Sequence, residues 1–204
     1  TEAWVILHSE PDSVIYSGLK AGVDRESLRE MMLAGETDRA LHSYHPKVGD
    51  CVFIPAGTVH ALGGGLVVAE IQQSSNTTFR LFDWNRVDAS GKSRPLHIES
   101  SLEVSDYERG PVDPIRKPIH SRTETLVECD KFVLRRVLDT DQTIGGDDRC
   151  HLLTVISGEA TLSNQDGPMK LATGESALLP AACGAIQLQA GDATVLWMSP
   201  PTSI

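Results

Sequence analysis

Positive charge is scarce in this chain: 18 Lys and Arg stand against 28 Asp and Glu, a formal net charge of −10, and no run of Lys or Arg occurs. That balance excludes an electrostatic footprint for nucleic acid or for an anionic membrane surface. An anionic ligand would need a local cluster of cations. Long apolar runs are missing too. No stretch of the sequence approaches the roughly 18 apolar residues that span a bilayer, and the first residues carry no charged-then-apolar export signal. The expectation is a cytoplasmic protein without a membrane partner. Cysteine is sparse. Cys51, Cys129, Cys150 and Cys183 stand far apart, with no Cys-x-x-Cys pair, which excludes a zinc knuckle or a redox dithiol and predicts buried thiols.

What is present is enough to build a core: 204 residues, 40% of them hydrophobic. Short apolar or alternating runs punctuated by Gly, Pro, Asp and Asn predict a mainly β protein. Strands are expected at Trp4–Leu7, Val14–Tyr16, Cys51–Ile54, Leu66–Gln72, Thr78–Asp83, Phe132–Leu138, Leu152–Ser157, Ala160–Ser163, Ser176–Leu179 and Thr194–Met198. Thr1-Glu2-Ala3-Trp4-Val5-Ile6-Leu7 already reads as the middle of a buried strand, so a preceding segment is expected. From Asp24 to about Leu41 the residues Leu28, Met31, Met32 and Leu41 fall at helical spacing behind a capping Asp24, predicting a helical insertion over about 24–42. The Pro-rich, charged stretch between Glu108 and Pro118 predicts a linker at 111–120 between a first β domain (1–110) and a smaller second one (121–204).

The two halves echo each other. Gly49-Asp50-Cys51-Val52-Phe53-Ile54-Pro55-Ala56 and Gly174-Glu175-Ser176-Ala177-Leu178-Leu179-Pro180-Ala181 both read Gly, acid, four strand residues, Pro, Ala, as two related β units would. The first copy continues into Gly49-x5-Pro55-x-Gly57-x2-His60, which resembles the second sequence motif of cupins. In that reading the glycines and proline turn the chain so that His60 returns into the barrel as a metal ligand. A lone histidine is usually a packed core residue; the complete spacing favours the ligand. In the second half the equivalent position is Ala185 and His151 stands alone, so a metal-free second unit is expected.

The run from Pro55 to Trp84, PAGTVHALGGGLVVAEIQQSSNTTFRLFDW, resembles the type I, zinc-dependent mannose-6-phosphate isomerases. So do Thr1-Glu2-Ala3-Trp4, Asn85-Arg86, Arg94-Pro95-Leu96-His97-Ile98, and Leu126 to Cys129 on through His151 to Thr154. The resemblance implies a cupin-type barrel followed by a smaller cupin-like unit. It also implies a zinc held by Glu2 and His60 together with a Gln and a His from a Gln-x-His-Pro segment that this sequence does not contain. The missing ligands would come from an upstream segment of the same protein, bound as a partner. Two ligands alone should hold a catalytic zinc weakly.

The same resemblance places an active-site arginine at Arg80, able to stabilise an enediolate or to grip substrate oxygens with paired hydrogen bonds. Glu70 and Gln72 share one strand face, Glu70 as a candidate proton-shuttling base and Gln72 as a substrate-binding residue. The implied activity is interconversion of mannose 6-phosphate and fructose 6-phosphate, with a sugar phosphate as the small-molecule partner. The alternative is a sugar-phosphate-binding or regulatory cupin without catalysis, or an inactive fragment. A cupin oxygenase fits poorly, since those use several inward histidines. Among other residues, His97 is expected to be packed and structural, Arg86, Lys92 and Arg94 to form a solvated cationic loop with an outside chance of touching phosphate, and Gly63-Gly64-Gly65 to make a β turn.

Overall fold

The computed structural model describes residues 1–84, 86–116 and 122–202, which divide into two compact units, Thr1–Ile115 and Arg116–Ile204. Residues 117–120 of the linker expected at 111–120 lie outside the described residues. The chain is mainly β, as its alternating patterns predict.

In the first unit the strands are β1 (Glu2–Ser9), β2 (Ile15–Leu19), β3 (Leu41–Tyr44), β4 (Cys51–Ile54), β5 (His60–Leu62) and β6 (Leu66–Gln72). They form two antiparallel sheets of three, β4-β1-β6 and β3-β2-β5. The opening strand is central because nearly everything on it is apolar: from Glu2 to Ile6 both faces are buried. Trp4 and Ile6 of β1 and Val52 and Ile54 of β4 pack with Ile15 of β2. That cluster ties one sheet to the other, at about 1.5–3 kcal/mol for each side chain removed from water.

Between β2 and β3 the chain is helical. Helix α1 (Arg25–Leu33) begins at Asp24, whose carboxylate accepts from the Ser27 backbone N–H while the Ser27 hydroxyl reciprocates. One further turn, α2 (Thr37–Ala40), follows. Leu28 is fully buried against Leu19, Leu41, Leu81 and Leu102. Leu102 comes from α3 (Ile98–Val104), which the sequence pattern does not reveal because seven residues give barely two turns of periodicity.

Two expectations are corrected here. Thr78–Asp83 is not a strand. Leu81 and Asp83 are buried and their neighbour Phe82 only partly so, hence the alternation. Yet among the described residues the backbone of Arg80 pairs only with His97, donating to its ring Nδ1 at 3.1 Å and accepting from its N–H at 2.8 Å. Alternation reports burial, not ladder pairing. The cysteines are also not uniformly buried: Cys51 is, but Cys150 and Cys183 are exposed, one just before a strand and the other in a 3-10 turn (Ala181–Cys183). Gly63 to Gly65 connect the two sheets and form no hairpin between paired strands, because β5 and β6 belong to different sheets.

The second unit contains β7 (Thr123–Glu128), β8 (Val133–Leu138), β9 (Asp141–Gly145), β10 (His151–Ser157), β11 (Glu159–Asn164), β12 (Gly167–Ala172), β13 (Ser176–Leu179), β14 (Ala185–Gln189) and β15 (Thr194–Ser199). They make sheets β13-β10-β15-β8-β7 and β12-β11-β14-β9, whose inner faces share a core of Leu153, Val155, Val195, Ile144, Leu162 and Leu188. The sequence echo is an echo of backbone: Gly49 and Gly174 both take a left-handed φ, 90° and 89°, before a four-residue strand. Ala185 then opens β14 as His60 opens β5.

His151 is fully buried and bonded at both ring nitrogens: Trp197 donates its indole N–H to Nδ1 at 2.9 Å, and Nε2 meets Asp147 at 2.8 Å. With Nδ1 accepting, Nε2 carries the hydrogen given to Asp147. That hydrogen bond, helped by Arg149 against the effect of burial, lowers the Asp147 carboxyl from 3.8 to about 2. A carboxyl lowered in the folded state stabilises the fold above its unfolded value, and the contribution is lost as pH falls towards the folded value. Thermal melts taken between about pH 5 and pH 2 should therefore show a steeper acid loss of melting temperature in the unaltered chain than in Asp147→Asn. Parallel curves would contradict the assignment.

Candidate functional site

The motif glycines do what their spacing predicts. Gly49 turns the chain into β4, and the next carboxylate, Asp50, accepts from the Lys47 N–H at 2.9 Å. After β4, Thr58 donates its N–H to the Pro55 carbonyl at 3.1 Å with Gly57 at φ 86°, a type II turn that requires φ above zero at its third residue. A Cβ at Gly57 would stand 2.9 Å from the Val104 carbonyl oxygen. The turn delivers His60 to the start of β5 in one sheet, opposite Glu2 of β1 in the other.

There His60 Nε2 and Glu2 Oε1 are 2.9 Å apart. The second ring nitrogen, Nδ1, donates to the Thr58 carbonyl at 2.7 Å, which leaves Nε2 as the nitrogen that faces Glu2. Trp4 packs edge-on against the imidazole, with ring centroids 5.3 Å apart. Glu70 interacts electrostatically with Glu2; it lies on β6 opposite Trp4, and Gln72 lies opposite Glu2.

Electrostatics divide the three ionisable groups. Burial pushes Glu2 up, but hydrogen bonding to His60 and the imidazole charge outweigh it and hold Glu2 below its ordinary value. Burial would lower His60, yet the bonds to Glu2 and Thr58 hold it above its ordinary value. Glu70 is raised, by burial first and then by the neighbouring Glu2 carboxylate. Two carboxyls in contact favour sharing one proton.

These residues line a cavity of about 670 Å³. Every sequence-predicted site residue borders it: Glu2, His60, Glu70, Gln72 and Arg80. Four buried polar atoms without a partner among the described residues, Trp4 Nε1 and the hydroxyls of Thr37, Thr58 and Ser101, belong to residues lining the same space. Such groups cost about 1–3 kcal/mol each, an expense concentrated here.

Arg80 enters from the segment between β6 and α3, anchored through its backbone to His97, while its guanidinium reaches the Pro95 carbonyl at 3.4 Å. His97 is thus structural, its ring also against Phe79. Arg94 is exposed, as expected of the cationic loop, and it is also paired: it forks onto Asp83, Nε to Oδ2 at 2.7 Å and Nη2 to Oδ1. That pair, against some cost of burial, holds the Asp83 carboxyl below its ordinary range. The buried acid two residues after Leu81 is the signal for the pair, since a buried carboxylate needs a cation.

The fit of this site to a metal can be judged from its donors. Glu2 and His60 converge from two strands, and an imidazole whose far N–H is held by a carbonyl is the usual arrangement of a metal-ligating histidine. Ligands of one tetrahedral zinc lie about 3.3 Å apart, a small opening from 2.9 Å. Among the described residues no group of three or more His, Cys, Asp or Glu converges on a metal position, so the pair offers two donors where a four-coordinate zinc needs four.

Two sheets closed around an inward His–Glu pair, after a Gly-x5-Pro-x-Gly-x2-His turn, define a cupin. Residues 122–198 match the family model described as the cupin domain of mannose-6-phosphate isomerase. The chain is 35% identical over 196 residues to mannose-6-phosphate isomerase ManA of Bacillus subtilis, a match covering 93% of this chain and 61% of that protein. A crystal structure of the Bacillus subtilis mannose 6-phosphate isomerase superposes with a TM-score of 0.85 at 27% identity, over 97% of this chain and 64% of that one. The Salmonella typhimurium mannose 6-phosphate isomerase, solved with fructose 6-phosphate and zinc, gives 0.71 at 14% identity over 98% of this chain and 66% of that one, which shows the shared fold. The chain is thus similar to mannose-6-phosphate isomerases along nearly its whole length and spans about three-fifths of the length of the Bacillus relative.

The turn offers a direct test. Gly57→Ala forces a side chain into a left-handed position and against a carbonyl oxygen, and should cost about 1–3 kcal/mol. The urea midpoint of the first unit should fall accordingly, whereas the same change at Gly22, left-handed but in open space, should cost less.

Proposed function

We propose that this chain carries part of the active site of an aldose–ketose isomerase that interconverts mannose 6-phosphate and fructose 6-phosphate. The observation that carries the reading is the Glu2–His60 pair, 2.9 Å apart in the wall of a 670 Å³ cavity that Glu70, Gln72 and Arg80 also line. Its support outside the chain is the likeness to named isomerases and the zinc and fructose 6-phosphate in the Salmonella neighbour.

Glu2 and His60 would be two of the zinc ligands. Bound there, zinc would polarise the C1 and C2 oxygens of the sugar. The chain's own residues would do the rest. Glu70, beside Glu2 at the cavity wall, would take the proton from C2 of the aldose and return it to C1, regenerating its carboxylate. Arg80 would stabilise the negative charge on the enediolate oxygen through guanidinium hydrogen bonds, and Gln72 would hold a sugar hydroxyl. The remaining ligands would come from a preceding segment of the protein. No helix among the described residues is long and apolar enough to cross a membrane, and we place the protein in the cytoplasm.

The test is deuterium exchange in D2O with mannose 6-phosphate and zinc-loaded protein that includes the preceding segment with the remaining ligands. Enediolate chemistry puts deuterium at C1 of the fructose 6-phosphate formed and at C2 of recovered mannose 6-phosphate. Arg80→Ala should slow turnover by about 10²-fold or more, and His60→Ala should lose zinc on dialysis. Saturable sugar-phosphate binding with neither exchange nor product would instead establish the non-catalytic binding protein.

A further inference from the structure

We infer that Arg86 is the phosphate-binding residue of the cavity, presented by a strained turn at the end remote in chemistry from the Glu2–His60 pair. The inference rests on the sugar-phosphate reading above and extends it to a residue whose sequence context reads as surface.

The ionisable groups of the cavity wall fall into two sets. Glu2, Glu70 and His60 interact with one another. Asp83 interacts with Arg94, Arg80 and Arg86. One carboxylate against three guanidinium groups leaves an excess of two positive charges, in a chain whose overall balance is −10. Arg94 is committed to Asp83 by its fork, which leaves Arg80 and Arg86 as the cations that a ligand can engage. A cavity acidic at one set and cationic at the other suits a ligand with hydroxyls at one end and a dianion at the other. A phosphate monoester carries close to two charges at neutral pH.

The backbone aims Arg86. Asp83 and Arg86 close a turn, with the Arg86 N–H donating to the Asp83 carbonyl at 2.9 Å. Within it Trp84 holds φ 49°, a left-handed value that costs a bulky residue about 1–3 kcal/mol. The conformation is held from several sides: Trp84 lies against Phe82 (centroids 5.1 Å apart) and Tyr16 (5.5 Å), and Arg86 stands over its ring at 5.9 Å. Asp83 beneath is fixed by Arg94. The result is a guanidinium backed by an aromatic plane on one side and open on the other. It makes no ion pair among the described residues, and its residue borders the cavity.

The test is calorimetric titration of the full 204-residue chain with three probes: inorganic phosphate, fructose 6-phosphate and fructose. Arg86→Ala should weaken both phosphorylated probes by about tenfold or more while leaving fructose unchanged, and Arg86→Lys should restore part of the loss. A melting temperature within about 1 °C of the unaltered chain would show that the turn survives, as expected for an exposed side chain. Three results would overturn the assignment: no saturable phosphate binding by the unaltered chain, equal affinity in Arg86→Ala, or equal weakening of fructose. Selective loss of phosphate affinity in a protein that shows no deuterium exchange would remove the isomerase reading while leaving this subsite standing.

Discussion

The contact between Glu2 and His60 governs the first unit because it joins side chains from two different sheets. Both sheets have apolar inner faces, and apolar contact alone is indifferent to small slips between them. A carboxylate meeting an imidazole is not: it fixes a distance and a direction. Glu2 is nearly buried and needs a cationic or donor partner there, and His60 supplies it. Trp4 against the imidazole and Glu70 against Glu2 extend the contact along β1 and β6, so one polar interaction sets the register of the cavity wall.

Much of this was legible in the residues. The turn glycines, the intervening proline and the spacing to His60 give a local geometry that needs no tertiary knowledge, and Asp24 announces a helix start. The periodicity of β6 places Glu70 and Gln72 on one face, and pairing with Glu2 and Trp4 turns that face to the cavity. Glu2 is different: nothing local marks the second residue of an apolar strand as functional, and only its resemblance to a family motif singled it out.

What escaped the sequence is whatever depends on contacts distant along the chain. Asp83 and Arg94 look like surface charges until the fold buries the acid. The segment around Arg80 has strand-like alternation, yet its backbone partner is His97 at the head of a short helix. The positive φ of Trp84 is invisible in a residue type that rarely adopts it. Each follows from packing that no window of neighbouring residues contains.

The carbonyl that orients His60 belongs to the main chain of Thr58, not to a side chain. An orienting aspartate or glutamine could be lost by any single codon change; a peptide oxygen is present whatever residue occupies the position. Side-chain identity at position 58 is therefore free to drift without erasing the tautomer of the imidazole two residues on. The inheritance of that chemical state is vested in the path of the backbone, and so in the glycine that lets the path exist.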